Sequence, residues 1–197
     1  MARNGLADLE RKTMSTFLAI IIAVVVVLVF WIVGVYNGLV RLNNKTKEAW
    51  SDIDVQLKRR HDLIPNLVET VKGYAKHEKE TLSQVIKYRG GLVSGNVDER
   101  MMANNMLTQA LGRLFAVMEN YPNLKANENF LKLQDELTGT ENKIAYIRTA
   151  YNDTVLEYNN ATQMFPDSIL AGMFHFEQKP YLQTPEAERQ NVKVNFQ

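Results

Sequence analysis

The sequence predicts an all-α protein: a single N-terminal transmembrane helix continuing into an antiparallel up-and-down four-helix bundle, followed by an extended C-terminal tail. Three observations carry that expectation. Residues 17–36 (FLAIIIAVVVVLVFWIVGVY) contain no charge and sit inside a charge-free window, 13–40. At ~1.5 Å per residue, a helix of that length reaches ~30 Å, the thickness of a bilayer's hydrocarbon core. After the window, apolar residues recur at three- and four-residue steps almost to Phe165, the period of helices with one buried face. The residues that break this period fall at only a few places: Gly90, Gly91 and Gly95, then Tyr121-Pro122, then Phe165-Pro166.

In order, residues 1–12 are a short polar tail and residues 13–36 the membrane helix. A core helix of a soluble protein normally carries charges on its wet face. A cleaved signal peptide has an apolar core of ~7–15 residues closed by an A-x-A-like site, which is absent here. The stretch therefore reads as an uncleaved signal anchor, with Trp31 and Tyr36 towards one interface. Residues 37–165 form the bundle. Its first helix continues from the anchor, with Leu39, Asn43, Thr46, Trp50, Ile53 and Leu57 making one seam.

Asp62 is the expected N-cap of a second helix over about 63–89, with Pro65 in its first turn, where a missing amide hydrogen costs little. Asn96 and Glu99 read as a capping box opening the third helix. Its methionines, Met102, Met106 and Met118, fit core filling better than a metal or peptide groove. The fourth helix runs over about 124–164 with a near-heptad repeat of Phe130, Leu133, Leu137, Ile144, Ile147, Tyr151, Val155 and Tyr158. The tail, 166–197, is expected to be irregular. Its alternating Val192, Val194 and Phe196 leave two readings, a disordered end or a short strand that docks and serves self-association.

Composition excludes several classes. From Arg41 onward there are 20 Lys+Arg against 20 Asp+Glu, so no electrostatic case exists for nucleic-acid binding. The absence of cysteine removes disulfides, thiolate metal sites and a cysteine nucleophile together. His61, His77 and His175 are scattered, and His77-Glu78 lacks the second histidine of a zincin motif. Asp52 and Asp54, two apart, point to different helix faces. No catalytic residue, metal or cofactor is expected. The polar run 58–62 offers lipid-phosphate binding, but lies ~30 Å past the anchor if helical, which favours a structural role.

Two segments echo each other: Tyr36-Asn37 with Val40, and Tyr151-Asn152 with Val155, each followed by an Asn-Asn pair. If the first and last helices pair, these side chains are expected to hydrogen-bond across the seam and fix register. A chance echo on two solvated faces is the alternative. Arg60, Arg89 and Glu141 fall on seam positions with Arg148 beside them, and are expected to form a buried ionic network.

Many of these residues also carry a family resemblance. Tyr36-Asn37, Trp50, the run 54–60 (DVQLKRR), the run 62–68 (DLIPNLV), Val71-Lys72-Gly73-Tyr74 and His77-Glu78 resemble the LemA family of bacterial membrane proteins. So do Tyr121-Pro122 with Leu124-Lys125-Ala126, Phe130 with Leu133-Gln134, Thr140-Glu141, Arg148 with Tyr151-Asn152, and Phe165-Pro166. The resemblance implies an anchored helical bundle, with no established catalytic activity or cofactor. One relative takes part in forming intracellular membrane organelles, and others are encoded near membrane-protease or stress genes.

The resulting expectation is a non-enzymatic, membrane-anchored scaffold of the bacterial inner membrane. It touches the bilayer through residues 13–40 and forms homo-oligomers. The alternative is an adaptor or sensor for a membrane protease or signalling complex, with a membrane-protein partner. Arg3, Arg11 and Lys12 before the span balance Arg41, Lys45 and Lys47 after it. Only the short N-terminal tail argues for placing the bundle on the extracytoplasmic side.

Overall fold

The structure, a computed structural model, describes the backbone of residues 2–74 and 78–183, with side chains from Thr13 onward. Every regular element among the described residues is a helix: α1 (Ala2–Lys72), α2 (Lys79–Gly91), α3 (Val97–Met118), α4 (Pro122–Lys125), α5 (Glu128–Gln163) and α6 (Asp167–Met173). The chain divides into two compact units, one of residues up to Asn44 with Glu157–Lys179, the other of Lys45–Leu156 with the segment from Pro180.

In the first unit, α1 begins at Ala2, so most of the expected polar tail forms its opening turns. Every side chain from Thr13 to Phe30 is exposed, and the most apolar window has none of its residues buried inside the protein. This is one helix long and apolar enough to cross a membrane. Full burial begins at Leu39, and Tyr158 on α5 and Leu170 and Ala171 on α6 are buried as well. The stretch after Phe165-Pro166, expected to be irregular, therefore opens with a helix. Pro166 precedes its first turn with a backbone suited to helix entry, and Leu170 and Ala171 anchor it. His175, in the left-handed region at φ 57°, ends it, and Phe176 N–H bonds back to the Ala171 carbonyl at 2.9 Å.

The second unit is a set of packed helices around Ile53, Leu57, Ile64, Leu67 and Val71 of α1 with Val85, Leu107, Leu114, Leu137 and Val155. Contacts fix the directions. Trp50 meets Tyr151 and Arg59 meets Glu136, so α1 and α5 run antiparallel. Gly91 faces Ala103 and Gln84 faces Arg113, so α2 and α3 also run antiparallel. A Cβ on Gly91 would lie 2.6 Å from that of Ala103, which is why glycine sits at this crossing.

Three helix boundaries differ from the expectation. No helix starts at Asp62, because α1 runs straight through Pro65 to Lys72. Asp62 lies instead on the helix surface, accepting two bonds from Lys58 Nζ at 2.7 and 2.9 Å. Proline removes one helical hydrogen bond, but Ile64, Leu67, Val68 and Val71 are all buried along the same helix and hold it continuous. The break comes at Gly73-Tyr74, inside the helix expected over 63–89. The expected helix over 124–164 is divided into α4 and α5, because Asn127 Oδ1 accepts the Phe130 N–H at 3.0 Å and caps a new start.

The capping box at α3 is present in full: Asn96 Oδ1 accepts Glu99 N–H, and Glu99 Oε2 accepts Asn96 N–H, both at 2.9 Å. Gly95 precedes it with φ 92°, a conformation that other residues rarely adopt.

Candidate functional site

Two polar arrangements stand out, one in the core of the second unit and one along the segment after α6. The first is centred on Arg60, which is fully buried. Its Nη1 donates to Asn104 Oδ1 on α3 at 2.6 Å, and its Nη2 donates to Glu141 Oε2 on α5 at 3.3 Å. One guanidinium fork thus ties α1, α3 and α5 together. Burial pulls its pKa below the ordinary arginine value, while the charge and hydrogen bond of Glu141 act in the opposite direction. Arg60 Nε and the Thr108 hydroxyl find no protein partner among the described residues. Both residues border a cavity of about 180 Å³, polar and roomy enough to hold water.

Of the four residues expected in an ionic network, the structure brings Arg60 and Glu141 together. Arg148 is buried on α5. Arg89 lies elsewhere: its Nε donates to the His61 carbonyl at 3.0 Å. His61 is the residue four before Pro65, so its carbonyl is the one that lacks a helical partner. Arg89 therefore repairs the bond that the proline removes, which is the physical reason it is not beside Glu141. A further cation, Arg100, is paired with Asp54 and lies over the Trp50 ring at 5.3 Å, while burial lowers its pKa.

The second arrangement is built on side-chain amides. In the first unit, Asn159 Nδ2 donates to the Lys179 carbonyl and its Oδ1 accepts the Lys179 N–H, both at 2.9 Å. Tyr158 OH donates to the Glu177 carbonyl at 2.9 Å, and the Lys179 ammonium lies 5.0 Å from the Tyr158 ring centroid. In the second unit, Asn152 makes the same two-way pair with Leu182, again at 2.9 Å each way. An amide offers a donor and an acceptor side by side, so it pairs with extended backbone as a neighbouring strand would. The grip is on the main chain and does not depend on which side chain follows.

Tyr36 packs edge-on against Phe174 and Phe176, with ring centroids at 4.9 and 5.9 Å, and Asn37 is exposed. Tyr151 packs edge-on against Trp50 at 6.3 Å, and burial, with Asp98 nearby, pushes its phenol pKa up. The extended segment brings backbone groups that must be satisfied, and Asn152 satisfies those of Leu182. Asn104 and Arg100 are absent from the expected network, and Asn159 enters it only as the first of the Asn-Asn pair after Val155. The seven-residue spacing of Asn152 and Asn159 was a readable signal, one face of one helix; Asn104 had none. Val192, Val194, Phe196 and His77 lie outside the described residues.

The LemA family model matches residues 49–196, three quarters of the chain. The chain belongs to the LemA family. Every residue of both polar arrangements falls inside that match, whereas Tyr36 and Asn37 lie before it. Among curated relatives, the protein LemA of Metamycoplasma hominis is 28% identical over 91% of this chain and 83% of its own length. The magnetosome proteins MamQ 1 and MamQ 2 of Paramagnetospirillum magneticum are each 25% identical, over 91% of this chain and 76% of theirs. The described residues contain no cluster of three metal-ligating side chains. The chain is a membrane-associated helical member of that family.

Proposed function

We propose that this LemA family protein is a membrane-anchored helical scaffold that self-associates at the bacterial inner membrane. The observation that carries the reading is α1 itself, which passes without a break from an uncovered apolar stretch into a packed helical unit. Confinement to a surface raises the effective concentration of copies, so weak lateral contacts suffice. The second unit then acts as an up-and-down four-helix bundle formed by α1, α2, α3 and α5, with Arg60, Asn104 and Glu141 fixing its register. The bundle lies on the extracytoplasmic side, and the tail with Val192, Val194 and Phe196 contributes to contacts between copies. Relatives named as magnetosome proteins support a role in organising membranes.

The test is chemical cross-linking of the full-length protein in native membranes and in mild detergent. A ladder of homo-oligomers is the expected result, and monomer alone overturns the scaffold. Pull-down with and without residues 167–197 separates the adaptor reading: an adaptor loses a foreign protein with the tail, whereas a scaffold loses copies of itself.

A further inference from the structure

Among the described residues, the first unit exposes apolar side chains along the anchor and at a second place. The second place is the corner leading from α5 into α6. Met164 is 65% exposed, Phe165 81%, Ile169 53% and Met173 66%. Ile169 and Met173 are four residues apart and share one face of α6, while Leu170 and Ala171 on the opposite side are buried. The run 164–176 (MFPDSILAGMFHF) holds one carboxylate, Asp167, one histidine, His175, and no lysine or arginine.

The geometry points to this corner as a second membrane contact, seated in the boundary between lipid headgroups and acyl chains beside the anchor. Its height is set by Tyr36, which ends the apolar run of α1 five residues before the first charge, Arg41. Aromatic rings at such a position belong to the interface. The Tyr36 ring packs on Phe174 at 4.9 Å and Phe176 at 5.9 Å, immediately after α6. The exposed apolar face of α6 therefore continues the lipid-covered surface of the anchor at the level where that surface meets water. Leu39, one turn further along α1, is already buried in protein. An apolar face this short, with few charges, suits a shallow insertion of ~5–10 Å rather than a second crossing. The bilayer is favoured over a second copy of the chain because the anchor holds this corner at the lipid surface whether or not another copy is present.

The inference rests on residues 13–40 lying in lipid, and the experiment separates the two. The chain contains no cysteine, so single cysteines can be introduced and labelled with an environment-sensitive fluorophore. Phe165→Cys, Ile169→Cys and Met173→Cys report on the corner, Val26→Cys on the anchor, and Val55→Cys, 60% exposed in the second unit, on water. Full-length protein is placed in phosphatidylcholine–phosphatidylglycerol vesicles containing lipids with quenchers at shallow or deep positions, and iodide is added separately. The expected result is loss of corner fluorescence to shallow-quencher lipids, loss of Val26 fluorescence to deep ones, and quenching of Val55 by iodide alone. Corner labels that behave like Val55, with Val26 still quenched by lipid, overturn the second contact and leave the anchor standing. If Val26 escapes lipid quenching, anchor and second contact fall together. Corner labels shielded from lipid quenchers and iodide alike indicate a neighbouring copy in place of the bilayer and also overturn it.

Discussion

Helix α1 carries two apolar stretches on one backbone, and they differ in what covers them. Between Thr13 and Phe30 every side chain is exposed. Further along, Ile53, Leu57, Ile64, Leu67, Val68 and Val71 are buried. The first stretch is apolar around its whole circumference, while the second is a stripe with Lys58, Arg59, Asp62 and Glu69 on its other faces. A stripe tells a helix which side to pack, whereas an all-round apolar surface gives no such direction and is matched by a solvent that is itself apolar on every side. One element thus reads out two solvents through patterning rather than through overall hydrophobicity.

Equivalent truncations in the two stretches should have unequal effects. Leu57→Ala should destabilise the second unit by ~2–5 kcal/mol, seen as a lower midpoint of thermal unfolding in detergent. Val26→Ala should leave that midpoint where it is, because Val26 is exposed and packs on no protein core. Introducing charge reverses the roles. Val26→Arg should oppose membrane insertion by ~2.5–3.5 kcal/mol and raise the alkali-extractable fraction, while Val55→Arg should not change partitioning.

Polar substitutions sharpen the picture of the covered half. Glu141→Ala leaves Arg60 buried beside Asn104 alone. Breaking a fully buried pair costs ~3–5 kcal/mol, but the Glu141 side chain is 37% exposed, so about 1–3 kcal/mol is expected, between the buried and surface limits. An unchanged denaturation midpoint would rule out the arginine fork as a structural tie. Arg89→Ala should cost about 1–2 kcal/mol by leaving the His61 carbonyl without its donor. In a Pro65→Ala background that cost should shrink, since the amide restored at position 65 bonds the same carbonyl; equal costs in both backgrounds would separate Arg89 from the proline.

The smallest effect concerns pH. Burial raises the Tyr151 phenol above its ordinary value of 10.0, so the folded state favours the neutral form. Its contribution is complete below that ordinary value and is lost as pH rises through the raised one. Tyr151→Phe should therefore flatten the alkaline decline of stability in the second unit without altering the neutral region of the curve.

Much of the fold was legible because it is written locally. The apolar length of 17–36, the helical period beyond it and the Asn96–Glu99 box each depend on residues within a few turns of one another. Local rules failed where two of them competed. Pro65 with Asp62 looked like a helix start, yet the buried residues following the proline kept α1 whole. Gly73, inside the helix expected over 63–89, is the break, and Asn127, inside the helix expected over 124–164, caps α5 through its side-chain oxygen.

The sequence alone determined that this chain is helical, that one stretch suits lipid, and which faces of the later helices are apolar. These properties come from spacing along the chain. The tertiary structure decided that Arg60 reaches Asn104 and Glu141, that Arg89 serves the carbonyl freed by Pro65, and that Asn152 and Asn159 hold the returning segment by its backbone. Each of these is a pairing between residues 20 or more positions apart. A donor's sequence states what it can bond; only packing determines which acceptor is brought within reach and shielded from water.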